Sequence, residues 1–432
     1  MSVPSVSVTA MRILHTSDWH LGRTLHGVDL LAHQAAYLDH LVELAGGEQV
    51  DAVVVSGDVY DRAVPPVEAV TLLSEALARL AATTTVVLTP GNHDSAVRLG
   101  FGADLLRSGV HVRARVADVG TPVELADEHG PVLVHALPYL DPDATRHVLA
   151  DGDPTVAPGE LLPRSHEAVM AAALRRVRAD LAARAAQGDG RPRSVVMAHA
   201  FVVGGEASDS ERDIRVGGVD SVPAGVFGGV DYVALGHLHG AQRIAAGRGV
   251  PGEGDDGDGD GVGGAAPGGA EAPAPPVLQY SGSPLAYSFS ELRQRKATVL
   301  VDLGPEGVRR TELVPAPVPR RLAEVTGRLE DLLGAAGEPH RDDWLRVVVT
   351  DDARPTELVA RVKARFPHAL VVEHRPVAAT ERVRARAVTS ASDPLLVAGE
   401  FVEHVTGAPP TPEELAVLRR AYEDVLAAGR SA

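Results

Sequence analysis

Cysteine is absent from this 432-residue chain, which excludes disulfide staples and metal sites built on thiolates. Aromatic residues make up only 3% of it, and no row of stacking rings for single-stranded nucleic acid is visible. No unbroken apolar run reaches the roughly 20 residues a membrane span requires, and no charged-then-apolar opening resembles a secretory signal. Lysine is nearly missing: Lys296 and Lys363 are the only two among 41 basic residues, so arginine carries the positive charge. Internal repeats are absent too. These absences lead to the expectation of a soluble, cytoplasmic chain without a membrane partner. Hydrophobic residues reach 45%, enough for a sizeable core, and the length exceeds one typical domain.

The formal net charge is -17, an awkward balance for a partner as anionic as DNA. Its placement is uneven. Glu253, Asp255, Asp256, Asp258, Asp260 and Glu271 supply six of the excess charges within residues 246–276, a Gly-, Asp- and Pro-rich stretch that reads as a disordered surface insertion. Residues 1–10 are small and polar and read as a disordered extension ahead of Met11.

From Met11 onward short Val/Ile/Leu runs alternate with segments of helical period, as in 51–56, 65–80 and 85–89. Val67, Val70, Leu73, Leu77 and Leu80 recur at helical spacing behind Pro65 and Pro66. This α/β pattern places the first domain at 11–305, and the proline-rich residues 314–319 mark a boundary. A small α/β capping domain is expected at 306–385, with a helix over 321–333, a strand over 344–350, a helix over 355–365 and a strand over 369–373. Two terminal helices are expected within 386–432, the second opening on a Thr411/Glu414 capping box, with Leu415, Leu418, Tyr422 and Val425 on one face.

Five short motifs, each behind an apolar run, carry seven residues with metal-binding atoms: Asp18 and His20, Asp58, Asn92, His199, His237 and His239. Mixed carboxylate, amide and imidazole donors suit divalent manganese, iron or zinc. A pair of such ions roughly 3.5–4 Å apart neutralises a phosphate diester and ionises water. Asp18, His20, Asp58 and His239 could hold one ion, and Asp58, Asn92, His199 and His237 the other, with Asp58 as the bridge. His93, beside Asn92, would then be the general acid, oriented by Asp61 or, as second choice, Asp94. Arg23, Arg62 and Arg98 adjoin these motifs and either meet phosphates or brace loops through carboxylates. His15, His111, His129 and His135 read as background.

In order and content these residues resemble the calcineurin-like metallophosphoesterase superfamily, whose D-x-H, G-D-x-x-D-R, G-N-H-[DE], H and G-H-x-H motifs stand here at 18–20, 57–62, 91–94, 199 and 236–239. Within it, the chain is similar to the nuclease-subunit family of bacterial SbcCD complexes, on residues 11–22, 55–61 with Pro65 and Pro66, Arg212 to Ile214, 232–239 and 280–284. The resemblance implies a layered metallophosphoesterase β-sandwich flanked by helices. It implies two manganese ions, 3′ to 5′ exonuclease action on double-stranded DNA ends, and endonuclease action at hairpins, serving DNA repair, recombination and replication. It further implies a homodimer formed through 65–80 and 99–108, and an SMC-like ATPase, SbcC, bound by the terminal helices in a heterotetramer. A small-nucleotide phosphodiesterase or phosphatase is the alternative that the same ligands would serve.

Overall fold

In this computed structural model the described residues are 10–106, 109–188, 190–211, 221–245, 274–376, 394–406 and 409–429. The expected extension up to residue 9, nearly all of the acidic stretch, and the motif Arg212 to Ile214 lie outside them.

The strands of the first part are β1 (Met11–Thr16), β2 (Ala52–Ser56), β3 (Thr85–Thr89), β4 (Val110–Val112), β5 (Val123–Asp127), β6 (Gly130–Ala136), β7 (Arg193–His199), β8 (Tyr232–Gly236), β9 (Gln242–Ile244), β10 (Val277–Tyr280), β11 (Ala297–Gly304) and β12 (Gly307–Pro315). They form two six-stranded sheets, ordered β12-β11-β1-β2-β3-β4 and β9-β10-β8-β7-β6-β5. β1 to β4 run parallel, as do β6, β7, β8 and β10, while the remaining strands pair antiparallel at the margins.

The apolar runs are continuous because both faces of each sheet are buried. Alternation then sorts neighbouring residues into different layers. Ile13, Ala52, Val54 and Val87 meet Val134, Val195, Met197 and Ala234 between the sheets. Leu14, Val53, Val55 and Leu88 point the other way, onto α1 (Leu31–Gly47) and α2 (Val67–Leu80). On the far side, Leu133, Val196, Val233 and Leu278 pack with residues of α4 (Pro142–Ala150) and α5 (His166–Ala185), α3 being the short turn Ala96–Leu99. Each fully buried valine or leucine contributes about 1.5–3 kcal/mol, so the four layers are mutually dependent. His15, read as background, is buried between the sheets with its Nδ1 2.9 Å from the Tyr232 hydroxyl.

Gly307–Pro315 pairs along β11, so it belongs with the first sheet, and the boundary expected at 305/306 falls too early. The chain divides instead into one unit of Met1–Glu324 with Asp342–Arg346 and another of Val325–Arg341 with Val347–Ala432. Later in the chain β13 (Leu322–Gly327), β14 (Trp344–Val349) and β15 (Ala369–His374) form a three-stranded sheet, with α6 (Leu329–Leu333) and α7 (Leu358–Arg365). The single helix expected over 321–333 is thus a strand followed by a short helix. Ala323 and Val325 are buried while Glu324 and Thr326 are exposed, a period of two that a helix cannot satisfy. α7 starts later than expected, behind Glu357 at a left-handed φ of 52°. Two helices, α8 (Pro394–Thr406) and α9 (Pro412–Gly429), close the described chain. At α9 the Thr411 hydroxyl accepts from Glu414 N (3.3 Å) while the Glu414 carboxylate accepts from Thr411 N (2.7 Å), the reciprocal capping its sequence encodes. No helix among the described residues is long and apolar enough to cross a membrane.

Candidate metal centre

Parallel strands end on one side of a sheet, and here the ends of β1, β2, β3, β7 and β8 carry the chemistry. Asp18 and His20 follow β1, Asp58 follows β2, Asn92 and His93 follow β3, His199 ends β7, and His237 and His239 follow β8. The turns are tight. Asp18, His20, Asp58 and His237 adopt φ of 53°, 44°, 47° and 105°, a region that non-glycine residues occupy only when their surroundings hold them there. Two glycines make the approach possible: a Cβ on Gly57 would sit 2.2 Å from His199 Nδ1, and one on Gly236 only 1.8 Å from Ser56 O.

Three compact clusters result: Asp18, His20 and His239; His20, Asp58 and His93; and Asp18, Asp58 and His199. Asp58 belongs to two of them, its Oδ2 lying 3.4 Å from His199 Nε2, 3.6 Å from His20 Nε2 and 3.9 Å from His93 Nε2. His20 Nε2 faces His239 Nε2 at 3.2 Å, two buried ring nitrogens with room for at most one proton between them. Asn92 Oδ1 lies 2.8 Å from His199 Nε2, and the His237 ring is 5.3 Å from that of His199, centre to centre. The seven residues picked from the sequence are therefore brought together.

Electrostatics fits this donor set to cations. Burial pushes His20 and His237 well below the usual histidine range, so both rings stay neutral with a lone pair to give. Burial lifts Asp18 to about 6. Burial opposes ionisation of Asp58 also, but the charge and hydrogen bond of His199 hold it well below the carboxylate range. His199 is raised to about 9: burial works against its charge, and Asp58 overcomes it. Both its nitrogens face oxygens, Ser56 O at 3.0 Å and Asn92 Oδ1 at 2.8 Å, as an imidazolium requires. His199 Nε2 thus faces oxygens of both Asn92 and Asp58, donors that a divalent ion would share, and binding of such an ion would displace a proton held there.

Asp61 and Asp94 differ from expectation. His93 Nδ1 donates to the main-chain carbonyl of Asp61 (2.8 Å), whereas the Asp61 carboxylate lies 3.6 Å from His20 Nδ1 and 3.4 Å from the Arg23 guanidinium. Asp94 accepts from Val59 N, Tyr60 N and Gly91 N at 3.0, 2.8 and 2.9 Å, tying the Asp58 turn to the Asn92 turn. Arg23 braces loops: besides Asp61 it donates to Ser210 O (3.2 Å) and stacks 4.9 Å over Tyr287. Arg62 and Arg98 are exposed.

Sequence reasoning missed a layer behind the ligands. Gln34 donates to Trp19 O (3.1 Å) and His20 O (2.7 Å), and the Tyr287 hydroxyl donates to Trp19 O at 2.6 Å. Glu211 accepts from His239 N at 2.8 Å. Glu291, whose burial opposes ionisation, is nevertheless lowered to about 2 by His239 and Lys296. None of these residues stands in a motif, so the sequence carries no local signal for them.

Residues 11–241 match the model of the calcineurin-like phosphoesterase family. Residues 318–406 match the type 5 capsule protein repressor C-terminal domain, SbcD_C. Among solved structures the chain is similar to TT1561 of Thermus thermophilus, at 15% identity and a TM-score of 0.37, covering 72% of this chain and 100% of that one. It is also similar to GAP50, the anchor in the inner membrane complex of Plasmodium, at 9% identity and a TM-score of 0.33, covering 86% and 98%.

Proposed function

The chain belongs to the calcineurin-like phosphoesterase family, and from that premise, with the SbcD-type C-terminal match, we propose that it is the nuclease subunit of an SbcCD-type complex. In this reading it is a 3′ to 5′ exonuclease on double-stranded DNA ends and an endonuclease at hairpins, acting in DNA repair, recombination and replication. The observation that carries it is the convergence of three imidazole nitrogens on one oxygen of Asp58. Asp18, His20, Asp58 and His239 would hold one divalent ion and Asp58, Asn92, His199 and His237 a second, with manganese taken from the family resemblance, since the mixed donors suit iron and zinc as well. Bound ions would supply charge neutralisation at the phosphate and ionisation of water. His93 supplies the proton that the departing sugar oxygen needs, with the Asp61 carbonyl fixing its ring through Nδ1. Arg62 and Arg98, exposed beside the ligand loops, are placed to meet backbone phosphates.

With manganese and the ATPase partner, the purified chain is expected to shorten linear duplex DNA from 3′ ends and to open hairpins. Much faster turnover of cyclic nucleotides or aryl phosphodiesters, with the partner present, would favour the small-nucleotide alternative.

Homodimerisation is part of the proposal. Val67 on α2 is 76% exposed, and Val97, Phe101 and Leu105 are 85%, 89% and 84% exposed. Val67, Phe101 and Leu105 lie in the two segments 65–80 and 99–108, with Val97 just ahead of the second, and covering them removes apolar area from water. Phe101→Glu with Leu105→Glu is expected to weaken the dimer at least about 100-fold, since two desolvated charges cost several kcal/mol. Sedimentation velocity at micromolar concentration reads this, and an unchanged dimer would exclude the surface. In this reading α8 and α9 are the docking element for SbcC, which the exposure of Leu396, Phe401, Leu415 and Val417 supports.

A further inference from the structure

One buried ion pair lies behind the centre. His239 turns Nε2 toward His20, while its Nδ1 faces Ser210 Oγ at 2.7 Å and Glu291 Oε1 at 3.2 Å. Glu291 Oε1 also accepts from the Ser210 hydroxyl and from Tyr287 N, the latter at 3.2 Å. Its second oxygen accepts from Lys296, whose side chain is 3% exposed. Three more oxygens surround the ammonium, His239 O (3.0 Å), Ser283 Oγ (2.9 Å) and Gln294 Oε1 (2.7 Å), so its three N–H donors are shared among four acceptors inside the protein.

Stability alone does not call for this arrangement. Replacing a buried ion pair with apolar residues of like volume is commonly neutral or stabilising, because desolvation offsets the mutual attraction. The pair stands instead where it acts on one ligand from two directions, Glu291 on the ring and Lys296 on the main-chain carbonyl. A carboxylate on the outer nitrogen of a histidine keeps that nitrogen protonated and directs the other lone pair at the metal. Lysine, one of only two in the chain, places a compact point charge among these acceptors rather than a planar fork of donors.

We propose that Glu291 and Lys296 are a positioning pair for His239, fixing its tautomer and ring direction so that Nε2 serves the ion shared with Asp18, His20 and Asp58. The inference rests on the two-ion reading above and assigns a role to residues outside every motif of that reading. Both side chains are buried behind His239 and act through it.

The test is manganese titration of the full chain by calorimetry after chelation. The double variant Glu291→Gln, Lys296→Met leaves no unpaired buried charge and should melt in chelator within about 3 °C of the parent. It should bind one ion with parental affinity and the other about 10–100-fold more weakly. Parental affinity for both ions overturns the proposal, and so does an equal loss at both, which would mean general damage. If the double variant fails to fold, Ser210→Ala and Glu291→Asp carry the test: loss confined to one ion supports the pair, and no loss overturns it. A parent chain that itself binds fewer than two ions refutes the two-ion reading instead.

Discussion

His93→Gln is expected to lower DNA cleavage about 10²- to 10⁴-fold, the usual contribution of a positioned general acid, while both manganese ions bind as before. In barrier terms this is roughly 3–5.5 kcal/mol. The hydrogen bonds of His93 suit an acid. Its main-chain N–H donates to Asp58 Oδ1 (2.9 Å) and its Nδ1 donates to Asp61 O (2.8 Å), which leaves Nε2 to face the centre 3.9 Å from Asp58 Oδ2. Glutamine retains a polar group of similar reach but delivers no proton. The cluster of His20, Asp58 and His93 is also compact enough for an ion, so calorimetry decides the assignment. Loss of manganese affinity in step with loss of cleavage would make His93 a ligand, and the role of acid would then be vacant.

That centre was legible in the sequence because each ligand is a local signal: a short polar motif directly behind a strand, at the end where parallel sheets bind. Each motif alone is an ordinary turn signal, and it is the five together, in one order and each behind a strand, that single out Asp18, Asp58, Asn92, His199 and His237. The carboxylate of Asp61 shows the limit. Its place three residues after Asp58 suggested an orienting bond to His93, but within a turn that tight the carbonyl reaches the imidazole and the side chain reaches His20 and Arg23.

The layer behind the ligands could not be read at all. Glu291 meets His239 across 52 residues of chain, and such contacts are set by how β10 and β11 assemble rather than by any spacing. Elsewhere too, what local pattern leaves open is decided by distant partners. Val67 and Val70 keep helical period with Leu73, yet they face outward, because periodicity gives the angle of a side chain and not what lies beyond it. Residues 322–327 matched a helix in composition, and the sheet partner β14 decided otherwise.

Asp58→Asn is expected to have the largest effect on the centre, since it removes charge from both proposed ion positions without much change in volume. Asparagine tolerates the left-handed backbone that Asp58 adopts at φ 47°, so the turn itself should survive. In chelator the variant should melt close to the parent, because His199 can release its proton once its counter-charge is gone. With manganese the two should diverge: the parent gains about 2.7 kcal/mol per ion at a hundredfold excess over Kd, and the variant gains almost none. Cleavage should fall below the His93→Gln level, as loss of the ions removes both charge neutralisation and ionisation of water. His239→Gln provides the contrast, since it lies at one position only and should spare the ion held by Asn92, His199 and His237. Calorimetry on the two variants side by side therefore tests the bridge. If Asp58→Asn kept one ion at parental affinity, Asp58 would serve a single metal, and the shared oxygen on which the two-ion arrangement depends would be gone.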